Sequence, residues 1–221
     1  MTNEEILQQI YDETLVGNKP AVVELTTKGI EAEIDPNVLL FEALIPALEE
    51  VGARFERGDF FVPEMLIAAR AMQGALDILR PLLAETGAVQ VGTYVMGTVK
   101  GDVHDIGKNL VNIMLEGAGF TVHDLGVNVA PEKFIEAIQE HKPDIVGFSA
   151  FLTTTMPMFK ANINALEKAG IRDEIIVMVG GAPVTQEYAD AVGADGYAAD
   201  ASSAVRLAKD LIQKRRSAVT A

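Results

Sequence analysis

Cysteine and tryptophan are both missing from these 221 residues. Without cysteine there is no disulfide, no thiolate zinc site, no protein-ligated iron–sulfur cluster and no thiol nucleophile. Three histidines remain as the strong nitrogen ligands. Long apolar runs are missing too: none reaches the ~18 residues that a spanning helix needs. The segment Met1–Glu5 is acidic and lacks the charged-then-apolar pattern of a secretory signal, so a cytoplasmic location is expected. Positive charge is scarce, with 18 Lys and Arg against 32 Asp and Glu and a net charge of −14. That balance argues against nucleic acid or an anionic membrane as a partner. The excess of acid is heavier in residues 1–88 than in the remainder, as a solvated face or as a docking face for a basic protein.

What is present falls into two halves with different periods. Residues 1–88 read as helices. Thr2 or Asn3 caps a first helix carrying Ile6, Leu7, Ile10, Leu15 and Val16. Gly17-Asn18 stops it, and Pro20 suits the first turn of a second. Asp35-Pro36 opens a third helix through Phe55, in which Pro46 predicts a kink. Pro63 opens a fourth, to about Leu83. Short connections predict a four-helix bundle. From Val89 onward, β-branched runs alternate with helical patterns. The expected strands are Val91–Met96, Thr121–Leu125, Asp144–Phe148, Ile175–Val179 and Gly196–Ala199. Repeated βα units mean a parallel sheet wrapped by helices, and a flavodoxin-like, Rossmann-like order of 2-1-3-4-5 is expected. The domains are placed at 1–88 and 89–221, with the junction at Gly87 and a linker over Thr86–Gln90.

Ligands of open α/β sheets bind outside the carboxyl ends of the strands. The first expected strand is followed by Gly101-Asp102-Val103-His104-Asp105-Ile106-Gly107. This heptapeptide sets an imidazole between two carboxylates at a sheet edge, an arrangement suited to a metal ligand oriented by an acid. Asp105 also suits a helix N-cap. Small and hydroxyl residues gather after the other strands: Gly126-Val127-Asn128, Ser149 through Thr155, Gly180-Gly181 and Asp200-Ala201-Ser202. Together they predict a deep, narrow slot. His123 lies inside a strand and His141 ends a helix, where its charge is favourable, so neither is expected to bind a metal.

Asp102-x-His104-x-x-Gly107, then Ser149 with Leu152 nearby, then Gly180-Gly181, resembles the signature of cobalamin-binding domains in order and spacing. The helical half resembles the cap over the corrinoid in methionine synthase, through Phe60-Phe61-Val62-Pro63-Glu64-Met65. The two halves together resemble the corrinoid proteins of methyltransferase systems that demethylate methanol, methylamines, betaines or methoxylated aromatics. The resemblance implies a cobalamin or related corrinoid bound base-off/His-on, with His104 as the lower ligand of cobalt. It implies a relay of His104, Asp102 and Thr155, the last at a position where methionine synthase carries serine. Gly101, Val103, Asp105, Ile106 and Gly107 complete the loop around the cofactor. Ser149 matches the residue that contacts the displaced base, and Thr153 follows on the corrin side. Phe151 stands where leucine is usual, with Leu152 beside it. Gly180 and Gly181 are expected to line the slot for the nucleotide tail, and Ala201 the final loop. Phe61, Met65 and Met72 are expected over the upper face. Arg57 stands where an acidic residue is expected, and carries no assigned role.

The function so implied is that of a methyl carrier. A substrate:corrinoid methyltransferase loads a methyl group on Co(I), and a second methyltransferase passes it to tetrahydrofolate or a thiol coenzyme. A reductive activase is a further expected partner. The chain then acts as a subunit of an enzyme system. The helical half moves off the corrin face about the linker. Alternatives are the cobalamin subunit of a carbon-skeleton mutase, which shares His104 but lacks such a cap, a cobalamin-dependent sensor, and a receiver-like domain without cofactor.

Overall fold

The computed structural model describes residues 1–86 and 91–219, without the side chains of residues 56, 84–86 and 219. Thr86 closes a helix, whereas Gly87 and the rest of the expected linker lie outside the described residues. The chain divides into two compact units, one of Met1–Val89 with Gly117–Gly119, the other of Gln90–Glu116 with Phe120–Ala221.

The first unit is helical. Its first helix, α1 (Asn3–Leu15), starts with a capping box. The Thr2 hydroxyl accepts from the Glu5 N–H, and the Glu5 carboxylate accepts from the Thr2 N–H. Helix α2 (Lys19–Glu31) has Pro20 in its first turn, where a missing N–H costs nothing. Gly29 of α2 meets Leu39 so closely that a β-carbon there would lie 2.7 Å from Leu39 Cδ2. Asp35 caps α3 (Pro36–Val38), which runs without a break of dihedral angles into a π turn (Leu39–Leu44) and then α4 (Ile45–Glu56). The kink expected at Pro46 is therefore a widened turn. Pro46 has no N–H, and its ring would crowd the Glu42 carbonyl in an α-helix. The chain answers by shifting to the wider bond from the Ile45 N–H to Leu40 O. Helix α5 (Val62–Thr86) completes the bundle. Its apolar residues Met65, Ala68, Ala69, Met72, Leu76 and Leu79 form one buried stripe.

The second unit is a parallel sheet in the order β2-β1-β3-β4-β5, as the alternation of strands and helices predicts. The strands are β1 (Gly92–Thr98), β2 (Phe120–Asp124), β3 (Ile145–Ser149), β4 (Ile176–Gly180) and β5 (Gly196–Tyr197). Between and after them run α6 (Ile106–Gly117), α7 (Pro131–His141), α8 (Pro157–Lys168), α9 (Gln186–Val192) and α10 (Ala201–Val219). The two-residue period of the strands sorts side chains onto two faces. Val95, Val146, Phe148, Val177 and Val179 pack with Phe134 of α7 and Phe159, Ile163 and Leu166 of α8. On the other face, a β-carbon on Gly196 would meet Leu207 and Leu211 of α10, so that glycine lets the helix lie close. Both faces being covered explains why the strands read as continuous apolar runs.

Thr98, Asp124, Ser149 and Gly180 end their strands along one edge. The loop after β1 thus emerges between the ends of β2 and β3, at the point where the strand order reverses. Gly181 has φ +136°, and a β-carbon on it would collide with the Ala150 carbonyl oxygen. That glycine lets the loops after β3 and β4 touch, alongside the bond from the Ala150 N–H to Gly180 O. Gly181→Ala is expected to lower stability by about 1–3 kcal/mol, read as a lower urea midpoint for loss of the sheet.

Candidate functional site

The loop between β1 and α6 is built around one carboxylate. Asp102 is 0% exposed. Its Oδ1 accepts from the His104 N–H at 3.0 Å and lies 2.7 Å from His104 Nδ1. Its Oδ2 accepts from the N–H groups of Phe151 at 2.8 Å and Leu152 at 3.1 Å, and stands 2.7 Å from the Thr155 hydroxyl. That hydroxyl also lies 2.8 Å from Leu152 O, and its one proton favours the charged acceptor. Burial works to raise the Asp102 pKa. The Thr155 hydroxyl, the His104 N–H and ring, and the Phe151 N–H outweigh it and hold the carboxyl well below its ordinary value.

A carboxylate that stays ionised needs the imidazole proton on the nitrogen facing it. Nδ1 of His104 therefore carries the hydrogen, and Nε2 presents a lone pair. No hydrogen-bond partner of Nε2 occurs among the described residues, and the side chain is 45% exposed. The Phe151 ring stacks on the imidazole with centroids 4.5 Å apart and planes at 29°. The Thr98 hydroxyl donates to His104 O at 3.0 Å.

Around this imidazole the edge is apolar and open. Val103, Ile106, Val127, Phe151 and Leu152 are exposed large hydrophobic side chains, Ile106 to 78%. Several such residues in neighbouring loops form the kind of patch that folded domains keep for binding. A β-carbon on Gly107 would meet nothing, so the start of α6 leaves free space. Thr153 is exposed, and Ser149 closes β3 with its carbonyl accepting from the Val99 N–H at 3.0 Å. At the far end of the edge Gly180 approaches Ala198 O. Ala201 is buried there, and the buried Ser202 hydroxyl has no hydrogen-bond partner among the described residues. Asp105 stands directly before α6, its carbonyl accepting from the Asn109 N–H at 2.7 Å and its carboxylate from the Asn109 side-chain amide at 3.1 Å.

The residues fit a corrinoid. An unpartnered imidazole nitrogen is a suitable donor to cobalt. The apolar rim suits the face of a large macrocycle. The unpaired Ser202 hydroxyl, with the glycines beside β4, suits a polar tail. In the helical unit, Phe61 is exposed at the start of α5, while Met65 and Met72 are fully buried. Arg57 is held by Glu50 and Asp59.

Two features escaped the sequence reading. His123 and His141 stack on one another with centroids 3.7 Å apart and planes at 6°. Burial, then the neighbouring His141, lowers the His123 pKa. Lys108 is buried beneath the loop, its Nζ 2.6 and 2.5 Å from the two Asp124 oxygens and 2.7 Å from Asn109 Oδ1. The pattern Lys108-Asn109 at a helix start with Asp124 at a strand end offered a signal only once the two ends were known to be neighbours.

Residues 92–206 match the model of a B12 binding domain, and residues 6–80 match a second model with the same description. The dimethylamine corrinoid protein 1 of Methanosarcina acetivorans is 43% identical over 213 residues, covering 96% of this chain and 100% of that protein. A similar fold occurs in the methanol:cobalamin methyltransferase complex MtaBC of Methanosarcina barkeri. The likeness has TM-score 0.83 and 32% identity, over 95% of this chain and 80% of that one. A cobalamin-binding protein of Desulfitobacterium hafniense DCB-2 gives TM-score 0.74 and 31% identity, over 92% and 97% of the two chains. The helical unit and the parallel sheet thus form a fold similar to that of proteins named for cobalamin, and the chain belongs to the B12-binding corrinoid protein family.

Proposed function

We propose that this chain is a methyl carrier in which His104 Nε2 is the lower ligand to the cobalt of a cobalamin or related corrinoid bound base-off/His-on. The observation that carries this reading is the imidazole fixed by Asp102 with Nε2 unpaired in an apolar rim. When bound, the corrinoid supplies a cobalt centre that accepts and releases a methyl group. The chain's own part is to bind, orient and exclude water. Val103, Ile106, Phe151 and Leu152 would shield the lower face, with Gly101, Asp105 and Gly107 shaping the loop. Ser149, Thr153, Gly180, Gly181 and Ala201 would line the slot for the tail. Phe61 has the exposure that an apolar cover over the upper face needs, supported by Met65 and Met72 in the buried stripe of the same helix.

Asp102 assigns the proton. With five donors around it, the carboxylate is a poor base. With Nδ1–H turned to Asp102, Nε2 is the ring atom at which a proton or a metal would be held. Thr155 holds Asp102 in place. Partners of this reading are a substrate:corrinoid methyltransferase, as the MtaBC complex suggests, a second methyltransferase and a reductive activase in the cytoplasm.

The deciding experiment is His104→Ala, reconstituted with cobalamin. The expected outcome is loss of the axial-nitrogen signature in the electron paramagnetic resonance spectrum of the Co(II) form, with impaired methyl transfer. A spectrum identical to the parent's would remove His104 from the metal.

Asp102→Asn places an amide among donors it cannot all satisfy. Hydrogen bonds to a charged group are worth about 1.5–3 kcal/mol each, and loss of about 2–4 kcal/mol overall is expected, since part of the carboxylate's desolvation is regained. The lowered pKa sets the pH dependence. The ionised group's contribution is complete above its unfolded value near 3.9 and is lost as pH falls further, through the folded value. The stability gap between parent and Asp102→Asn is therefore expected to stay flat from about pH 7 to 5 and to narrow below about pH 4. Urea titrations across that range measure it.

A further inference from the structure

The loop that carries His104 is gripped from two sides, and only one side involves Asp102's carboxylate. On the other, Asn128 has φ +55°, a left-handed conformation uncommon for any residue but glycine. In that conformation its backbone and its side chain both face the histidine loop. Its N–H donates to Asp102 O at 2.9 Å. Its Oδ1 accepts from the Gly101 N–H at 2.8 Å. The peptides on either side of Gly101-Asp102, 100–101 and 102–103, are thus held by a single residue of the loop after β2.

That loop is itself anchored. The Thr98 N–H donates to Gly126 O and the Val129 N–H to Thr98 O, each at 2.9 Å. Asp124 Oδ1 accepts from the Gly126 N–H at 2.9 Å while both its oxygens hold the buried Lys108 Nζ. Lys108 belongs to α6, the helix that leaves the histidine loop. The loop after β2 therefore meets the histidine loop at its entrance through Asn128 and at its exit through Lys108.

We propose that Asn128 is a positioning residue for the axial imidazole. It fixes the Gly101-Asp102 backbone, so that the His104 ring starts from one height above the sheet edge, and Asp124 and Lys108 hold Asn128's own loop in register. The role rests on the reading of His104 as ligand. Geometry distinguishes it from the Asp102 contact: Asn128 touches the backbone that carries the ring and not the ring.

Three substitutions separate the parts of this brace. Asn128→Gly keeps the left-handed backbone and its N–H but removes the acceptor. Asn128→Asp keeps the acceptor. Asn128→Ala removes it and strains the backbone. In the cofactor-free chain, amide hydrogen exchange at Gly101 is expected to be about five- to tenfold faster in Asn128→Gly, the size of one neutral hydrogen bond. Amides of Val95 and Val146 should exchange as in the parent, and Asn128→Asp should restore the Gly101 rate. After reconstitution with cobalamin, the fraction of Co(II) spins with an axial-nitrogen splitting should fall in Asn128→Gly and recover in Asn128→Asp. Should Asn128→Gly not fold, Asn128→Ala is read in the same way against Asn128→Asp. Faster Gly101 exchange with an unchanged axial-nitrogen fraction would overturn the positioning role while leaving His104 as ligand. An unaltered Gly101 rate would overturn the brace itself. Failure of the ligand reading shows separately, as an axial-nitrogen signal that survives His104→Ala.

Discussion

One buried carboxylate organises the binding edge. Asp102 lies out of water and would be costly there as an isolated charge. Five donors make it tolerable, and those donors come from two loops. Satisfying the charge therefore forces the loop after β1 and the loop after β3 together. The net stability gained is modest, because desolvation offsets much of the hydrogen bonding. What the arrangement secures is geometry and tautomer. An amide in the same place could not accept from Phe151, Leu152 and Thr155 on one atom while fixing the Nδ1 proton with the other. The ionised acid meets both demands with a single residue, and so leaves Nε2 of His104 as a lone-pair donor.

The rim around that nitrogen makes sense only with a ligand in view. Val103, Ile106, Phe151 and Leu152 hold apolar surface in water, on two loops and the first residue of α6. Covering such surface contributes roughly 25 cal/mol per Å². On the proposed reading, a flat macrocycle laid on the rim would recover that amount. Phe151 has a second use, since its ring stacks on the imidazole and limits its rotation. Phe151 thus adds an aromatic wall to the histidine.

The fold was legible because its signals are local and repetitive. Thr2 with Glu5, Pro20, and Asp35-Pro36 each mark a helix start through their immediate neighbours, and each starts a helix within a residue of where the pattern places it. Strand limits differ by one or two residues, β1 running to Thr98 because its last residues pair with β3. The Pro46 turn was legible as a disturbance but not in kind. Whether a helix kinks or widens depends on what packs against it, which no local pattern carries. The same limit applies at the edge of the sheet. The histidine motif is contiguous in sequence and could be read there. Asn128, Lys108 and Phe151 act across loops that only the closed sheet makes neighbours, and the stacked pair of His123 with His141 joins a strand to the end of a helix in the same way.

Topology explains why the histidine sits at the reversal of strand order. In the order β2-β1-β3-β4-β5, β1 leads through α6 to β2 on one side, opposite to the direction in which its neighbour β3 leads through α8 to β4. Its carboxyl-end loop is left uncovered but has a strand end on each side. Asp102 reaches the loop after β3, and Asn128 reaches back from the loop after β2. A ligand-bearing loop at β5 would have one neighbouring strand and could be held from one side only. A loop after β4 would face the short β5, two residues long, as its outer support. β1, like β3 across the reversal point, offers both a crevice and a strand on each side. A metal ligand needs the opening for its cofactor and the flanks for a fixed imidazole, and the reversal of strand order provides the two together.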